Sequence, residues 1–166
     1  MKILKLFLLT AAAIISFSFA QAQNALINVL SQNSGIIKNG GTSFAEITIN
    51  NTDPGVYIDI YKLKVQVSVP SNIVSISNTG HVLPTGWTII SNDGFTINLS
   101  NGKDMIAATD ARTILIALKA NKLGGPSTIS GQLSFSDGIS PGANPGFLKA
   151  DNPADNFSTS TFKVVR

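Results

Sequence analysis

The sequence has no cysteine and a single histidine, His81. The first absence excludes disulfides, a thiol nucleophile and a lipid-anchor cysteine. The two together remove the residues from which zinc sites are usually built. Acid is also scarce. There are nine acidic residues, and only Glu46 is a glutamate. Glycoside hydrolysis needs two carboxylates flanking a bond. Most of the carboxylates here (Asp53, Asp93, Asp104, Asp110 and Asp137) stand in turn-like contexts, where aspartate serves backbone hydrogen bonding. No Gly-x-Ser-x-Gly elbow occurs, and His81 follows Gly80 in a turn-like stretch. The chain is expected not to be an enzyme.

What the sequence does have begins with a leader. Lys2 and Lys5 form a short positive region, residues 6–15 are apolar, and Ala20-Gln21-Ala22 is a small-x-small site. Positive, apolar and cleavable parts in that order predict a secretory signal peptide over residues 1–22, cut before Gln23. Ser16 and Ser18 interrupt the apolar run, which is short for a membrane span of about 20 residues. Removing 22 of the 166 residues leaves 144, enough for one domain over 23–166. The leader also takes two of the twelve basic residues, leaving ten against nine acids. The remaining lysines are scattered, so no clustered basic face is expected and nucleic acid is not an expected partner. No later segment approaches transmembrane length. The expected location is the cell surface, the medium or the periplasm.

The mature sequence alternates apolar and polar residues in short runs, and Gly, Pro, Asn and Asp separate the runs. Period-two alternation marks strands with one dry and one wet face. The clearest run is 61–69, with Tyr61, Leu63, Val65, Val67 and Val69 in one phase. Val56, Ile58 and Ile60 lie in the opposite phase, which predicts a bulge or a crossover between sheets near Ile60. Asn92-Asp93-Gly94 between 87–91 and 95–100 reads as a hairpin turn. Further strands are expected at 25–30, 42–50, 73–77, 113–119, 128–136 and 157–165. The prediction is an all-β, antiparallel, two-sheet sandwich of about eight or nine strands.

Three candidate sites follow. The stretch 137–156 carries Pro141, Pro145 and Pro153 with three glycines, and it ends in Asp151-Asn152-Pro153-Ala154-Asp155-Asn156. Calcium needs only oxygen ligands, so Asp137, Asp151, Asn152 and Asp155 form a candidate calcium site, without EF-hand spacing. Trp87, Tyr57 and Tyr61 form a candidate carbohydrate platform, because aromatic rings offer broad apolar faces to sugars. The third is residues 23–30, mostly apolar, β-prone and followed by Ser-Gln-Asn-Ser-Gly. That segment suits a strand donated to a neighbouring copy, which makes self-association an expected partner mode.

Leu83-Pro84-Thr85-Gly86-Trp87-Thr88 follows the strand and turn Ile47-Thr48-Ile49-Asn50-Asn51-Thr52, and it precedes Ala108-Thr109-Asp110-Ala111-Arg112-Thr113-Ile114. In this order the segments resemble the Ig-like repeat domains of bacterial cell-surface proteins and, broadly, cohesin-type sandwiches. The Ala-Gln-Ala-Gln end of the leader resembles those of the Bacteroidetes. The resemblance covers roughly residues 42–135 and implies an Ig-like fold in a surface context, with no catalytic residue to carry over. The expected function is an exported, non-catalytic structural or adhesive module that meets a protein or polysaccharide at the cell surface. A carbohydrate-binding role is the alternative.

Overall fold

Short alternating runs cannot bury their apolar face alone, so they pair into sheets and the sheets stack. The computed structural model describes residues 25–69, 72–135 and 154–166. Among these the chain forms ten strands: β1 (Ala25–Ser31), β2 (Ile36–Lys38), β3 (Thr42–Asn51), β4 (Leu63–Ser68), β5 (Val74–Ile76), β6 (Thr88–Asn92), β7 (Thr96–Ser100), β8 (Ala111–Ala120), β9 (Gly124–Phe135) and β10 (Phe157–Val165). They make a four-stranded sheet, β1-β3-β8-β5, and a six-stranded sheet, β2-β10-β9-β4-β7-β6. No described helix is long and apolar enough to cross a membrane.

The core is one cluster between the sheets. Ile27, Ala45, Ile47, Ile49, Ile114 and Ile116 come from the four-stranded sheet, and Val65, Val67, Ile97, Leu99, Ile129 and Phe162 from the other. Each of these pairs or triplets sits two residues apart on its strand, as alternation requires. A fully buried aliphatic side chain contributes about 1.5–3 kcal/mol, so this cluster is what makes the sandwich hold without disulfides.

Three expectations need correcting. The strand predicted over 61–69 begins at Leu63, and Tyr61 is not in phase with it. Ile60 and Tyr61 form a turn, with Tyr61 at φ 59°. The phase switch is therefore a change of direction rather than a bulge or a strand crossover. The sandwich is antiparallel except at one edge, where β2, which sequence reading missed, pairs in parallel with β10. Its three residues are too few to show a period. Trp87 stands before β6 rather than opening it.

The chain crosses from the four-stranded to the six-stranded sheet between β1 and β2, through a tight turn at Gln32–Gly35. Asn33 and Ser34 have φ of 54° and 53°. A left-handed backbone costs a residue with a side chain about 1 kcal/mol. Gly35 has φ 74° and lies so close to the Thr161 carbonyl of β10 that a Cβ there would collide with it.

Candidate functional site

At one end of the sandwich two loops, 52–62 and 101–110, are fastened by buried amides. Asn101 is fully buried. Its Oδ1 accepts from the Leu63 amide at 3.0 Å, and its Nδ2 donates to the carbonyls of Asp59 and Asp104, each at 2.7 Å. Asn51 acts similarly. Its Nδ2 donates to the carbonyls of Val56 (2.7 Å), Ala107 (3.0 Å) and Ile106 (3.2 Å). Ile58 and Ile106 exchange backbone hydrogen bonds at 2.8 and 2.9 Å between the loops. The sequence shows Asn51 only as the end of a strand running into a turn, because Asn before Thr looks the same whether its amide meets water or backbone, and nothing in it singles out Asn101.

A second network anchors Trp87. Its Nε1–H donates to Asp104 Oδ2 at 2.8 Å. Arg112 donates to the same carboxylate through Nε at 2.7 Å and Nη2 at 3.1 Å, and through Nη1 to Asp110 at 2.5 Å. These carboxylates, Asp104 first, hold the guanidinium pKa above its ordinary value. Asp110 is pushed below the usual carboxylate range, chiefly by the hydrogen bond from Arg112. A fork donating twice to one carboxylate fixes orientation as well as charge. The network is structural, with every strong donor directed into the protein.

The aromatic platform does not assemble. Trp87 is only 6% exposed and packs into the core, while Tyr57 and Tyr61 are 54% and 53% exposed. The indole is held where its polar nitrogen reaches Asp104, which leaves no ring face for a sugar. Of the candidate calcium ligands, Asp137, Asp151 and Asn152 lie outside the described residues. Asp155 is described, and its carbonyl accepts from the Ile27 amide at 3.0 Å. Among the described residues, no three His, Asp or Glu side chains gather in a way that would hold a metal. The leader likewise lies outside the described residues.

His81 fills a gap in a sheet. Beyond β5 the chain leaves the β8 edge and returns at Val82, which bridges to Leu115. In the interval the Ala117 amide donates to His81 Nδ1 at 3.1 Å. Burial holds the imidazole pKa below its ordinary value. A neutral ring accepting at Nδ1 carries its proton on Nε2.

The outer faces of the two sheets differ in chemistry. On the six-stranded sheet, Gln132 opposes Gln66, Gln66 opposes Asn98, and Asn98 opposes Ser91. A depression of about 240 Å³ beside this row is lined by Lys64, Gln66, Ile90, Ser91, Asn98 and Ser134, with Val65 below. On the four-stranded sheet, Leu30 opposes Glu46, Glu46 opposes Leu115, and Leu115 bridges to Val82. Phe44 lies one row away, opposite Ala117. Leu30 and Val82 are 50% and 53% exposed. The chain's only glutamate thus sits inside an apolar row. The pattern was present in the sequence, but the row became visible only once register placed residues from β1, β3, β8 and the 77–82 segment side by side.

These features define a class, an all-β two-sheet sandwich of Ig-like and cohesin-like form. Among solved structures, the chain is similar to a cohesin module from a family 33 glycoside hydrolase of Clostridium perfringens (TM-score 0.55, 12% identity, 85% of this chain and 98% of that one). It is similar to a non-cellulosomal cohesin from Archaeoglobus fulgidus (TM-score 0.53, 12% identity, 86% and 92%). It is also similar to the major pilin subunit of Bacillus cereus (TM-score 0.53, 11% identity, 85% and 40%). At such identities the likeness is one of fold. No protein-family model matches the sequence, and no curated protein matches it.

Proposed function

We propose that this protein is an exported, non-catalytic module of the cell surface that docks a protein partner on the outer face of its four-stranded sheet. The observation that carries the reading is the row Leu30–Glu46–Leu115–Val82 with Phe44 beside it. A sheet face turned to water is expected to be polar; on the other sheet the row Gln132–Gln66–Asn98–Ser91 is, although Phe157 stands opposite Gln132 and Ile90 beside Ser91. An apolar stripe around one carboxylate gives a partner both contact area and a fixed register. The leader supports export, and the cohesin and pilin neighbours support this fold as a frame for modules of larger assemblies.

The test uses beads carrying the exported protein and measures their binding to the surface of the source cells. Leu30→Lys with Val82→Lys should abolish binding while leaving the thermal melt of the protein unchanged, because both side chains are half-exposed and lie outside the core. Gln66→Ala with Asn98→Ala should leave binding intact. Unchanged binding by the lysine variant rejects the reading.

The amide row favours a second reading, a polysaccharide held on the six-stranded sheet by Gln132, Gln66 and Asn98. Retention on insoluble polysaccharide that disappears with Gln66→Ala and Asn98→Ala would select it.

A further inference from the structure

Among the described residues, no strand pairs with the side of β1 that faces away from β3. Three of its outward amides are taken up by other groups. Ile27 donates to the Asp155 carbonyl at 3.0 Å, Val29 to Ser158 Oγ at 3.0 Å, and Ser31 to Ser160 Oγ at 3.1 Å. Ser31 Oγ also lies 2.6 Å from Ser160 Oγ and donates to the Thr161 carbonyl at 2.8 Å. The edge of one sheet is thus closed on β10 of the other by hydroxyls, not by a backbone ladder.

The groove that β1 occupies is shaped for it. Ala25, Ile27 and Val29 are buried in the core. A Cβ on Gly131 would stand 2.7 Å from Val29 and 2.9 Å from Ile27, so these two side chains fit only because position 131 is a glycine. A vacated groove would open the core to water, and the sequence that fills it best is that of β1 itself. The turn linking β1 to the rest of the fold holds Asn33 and Ser34 in left-handed backbone, a conformation an extended hinge would relieve.

We propose that β1 is an exchangeable strand: two copies of the chain trade β1, each seating the other's Ala25–Ser31 between β3 and β10. The four residues Gln32–Gly35 become an extended hinge spanning about 14 Å. Every hydrogen bond of the closed seam is remade with the partner's identical strand, and the left-handed turn is lost. This exchange is independent of what docks on the four-stranded sheet.

The test measures the mass in solution of the chain exported with its own leader, after incubation at high concentration just below its melting temperature. The wild type should convert to a dimer that dissociates slowly on dilution. Ser31→Cys with Ser160→Cys introduces the only two thiols in the protein, where two oxygens now touch. Oxidised, this variant should remain a monomer, and reduction should restore the dimer. Ser34→Pro gives a second handle, since proline cannot adopt positive φ and the closed turn loses its footing. Its dimer fraction should rise. A wild type that stays monomeric overturns the proposal, as does a Ser34→Pro dimer fraction no higher than that of the wild type. A dimer that forms with the lock oxidised but disappears in Val82→Lys also overturns it, and assigns association to the outer face instead.

Discussion

The end of the sandwich that carries loops 52–62 and 101–110 and the seam between β1 and β10 are both closed by side chains, but with different chemistry. The loops are held by two primary amides. Each offers two donors and an acceptor, and each is buried with those groups met by backbone. The seam is held by hydroxyls that rotate, share partners and lie near the surface. An amide in a dry site locks geometry, because no alternative partner is within reach. A hydroxyl near water has one. The difference marks where this fold is fixed and where it can give.

The largest expected effect comes from breaking the fixed end. Asn101→Ala leaves the Leu63 amide and the Asp59 and Asp104 carbonyls without their buried partner. Unmet buried groups cost about 1–3 kcal/mol each, so the variant should lose about 4 kcal/mol, read as a lower urea midpoint. Asn101→Asp sharpens the point. It keeps an acceptor for Leu63 but turns an oxygen toward two carbonyls, and it should rescue little. If the aspartate variant matched the wild type, the amide would not be the lock.

A smaller effect is expected at the seam. Ser158→Ala with Ser160→Ala removes two hydroxyl acceptors, each worth about 1 kcal/mol, for a loss of about 2 kcal/mol. Amide exchange should rise at Val29 and Ser31 and remain slow at Leu63 and Ile106. Equal loosening at both ends would erase the contrast drawn above.

The strands were legible where alternation ran long. β3, β4 and β10 show their buried residues two apart, as β8 does save for Ala117, and the expected hairpin joins β6 to β7 through Asp93-Gly94-Phe95, one residue on from its expected place. β2 was not legible, because three residues carry no period. The locks were illegible for a different reason. Asn51, Asn101, Ser158 and Ser160 are ordinary turn and wet-face residues in one dimension, and each has a partner between 38 and 129 residues away. Only the folded register makes them special. Trp87 was misplaced because the same residue type serves an exposed platform and a core anchor; Asp104, 17 residues on, decides between them.

The least effect is expected at His81, whose contribution depends on pH. The imidazole accepts the Ala117 amide at Nδ1, so protonation there breaks the bond that bridges the gap between β5 and Val82. Burial is the dominant cause that lowers its pKa in the folded protein below the ordinary value of 6.5, against a weaker opposing effect of the nearby Ser77 backbone. Below that ordinary value the unfolded chain takes up a proton that the folded protein resists. The stability contributed by neutral His81 is therefore complete above about 6.5 and is lost as pH falls through the folded value. Asp93 and Asp110 have their own pKa values held low, so between pH 7 and about 5 they stay ionised in the folded protein and the histidine dominates the slope. Urea midpoints should decline over that interval in the wild type and flatten in His81→Gln, which retains an acceptor without a titrating ring. A decline of equal size in the glutamine variant would place the pH response elsewhere and leave His81 as a hydrogen-bond acceptor alone.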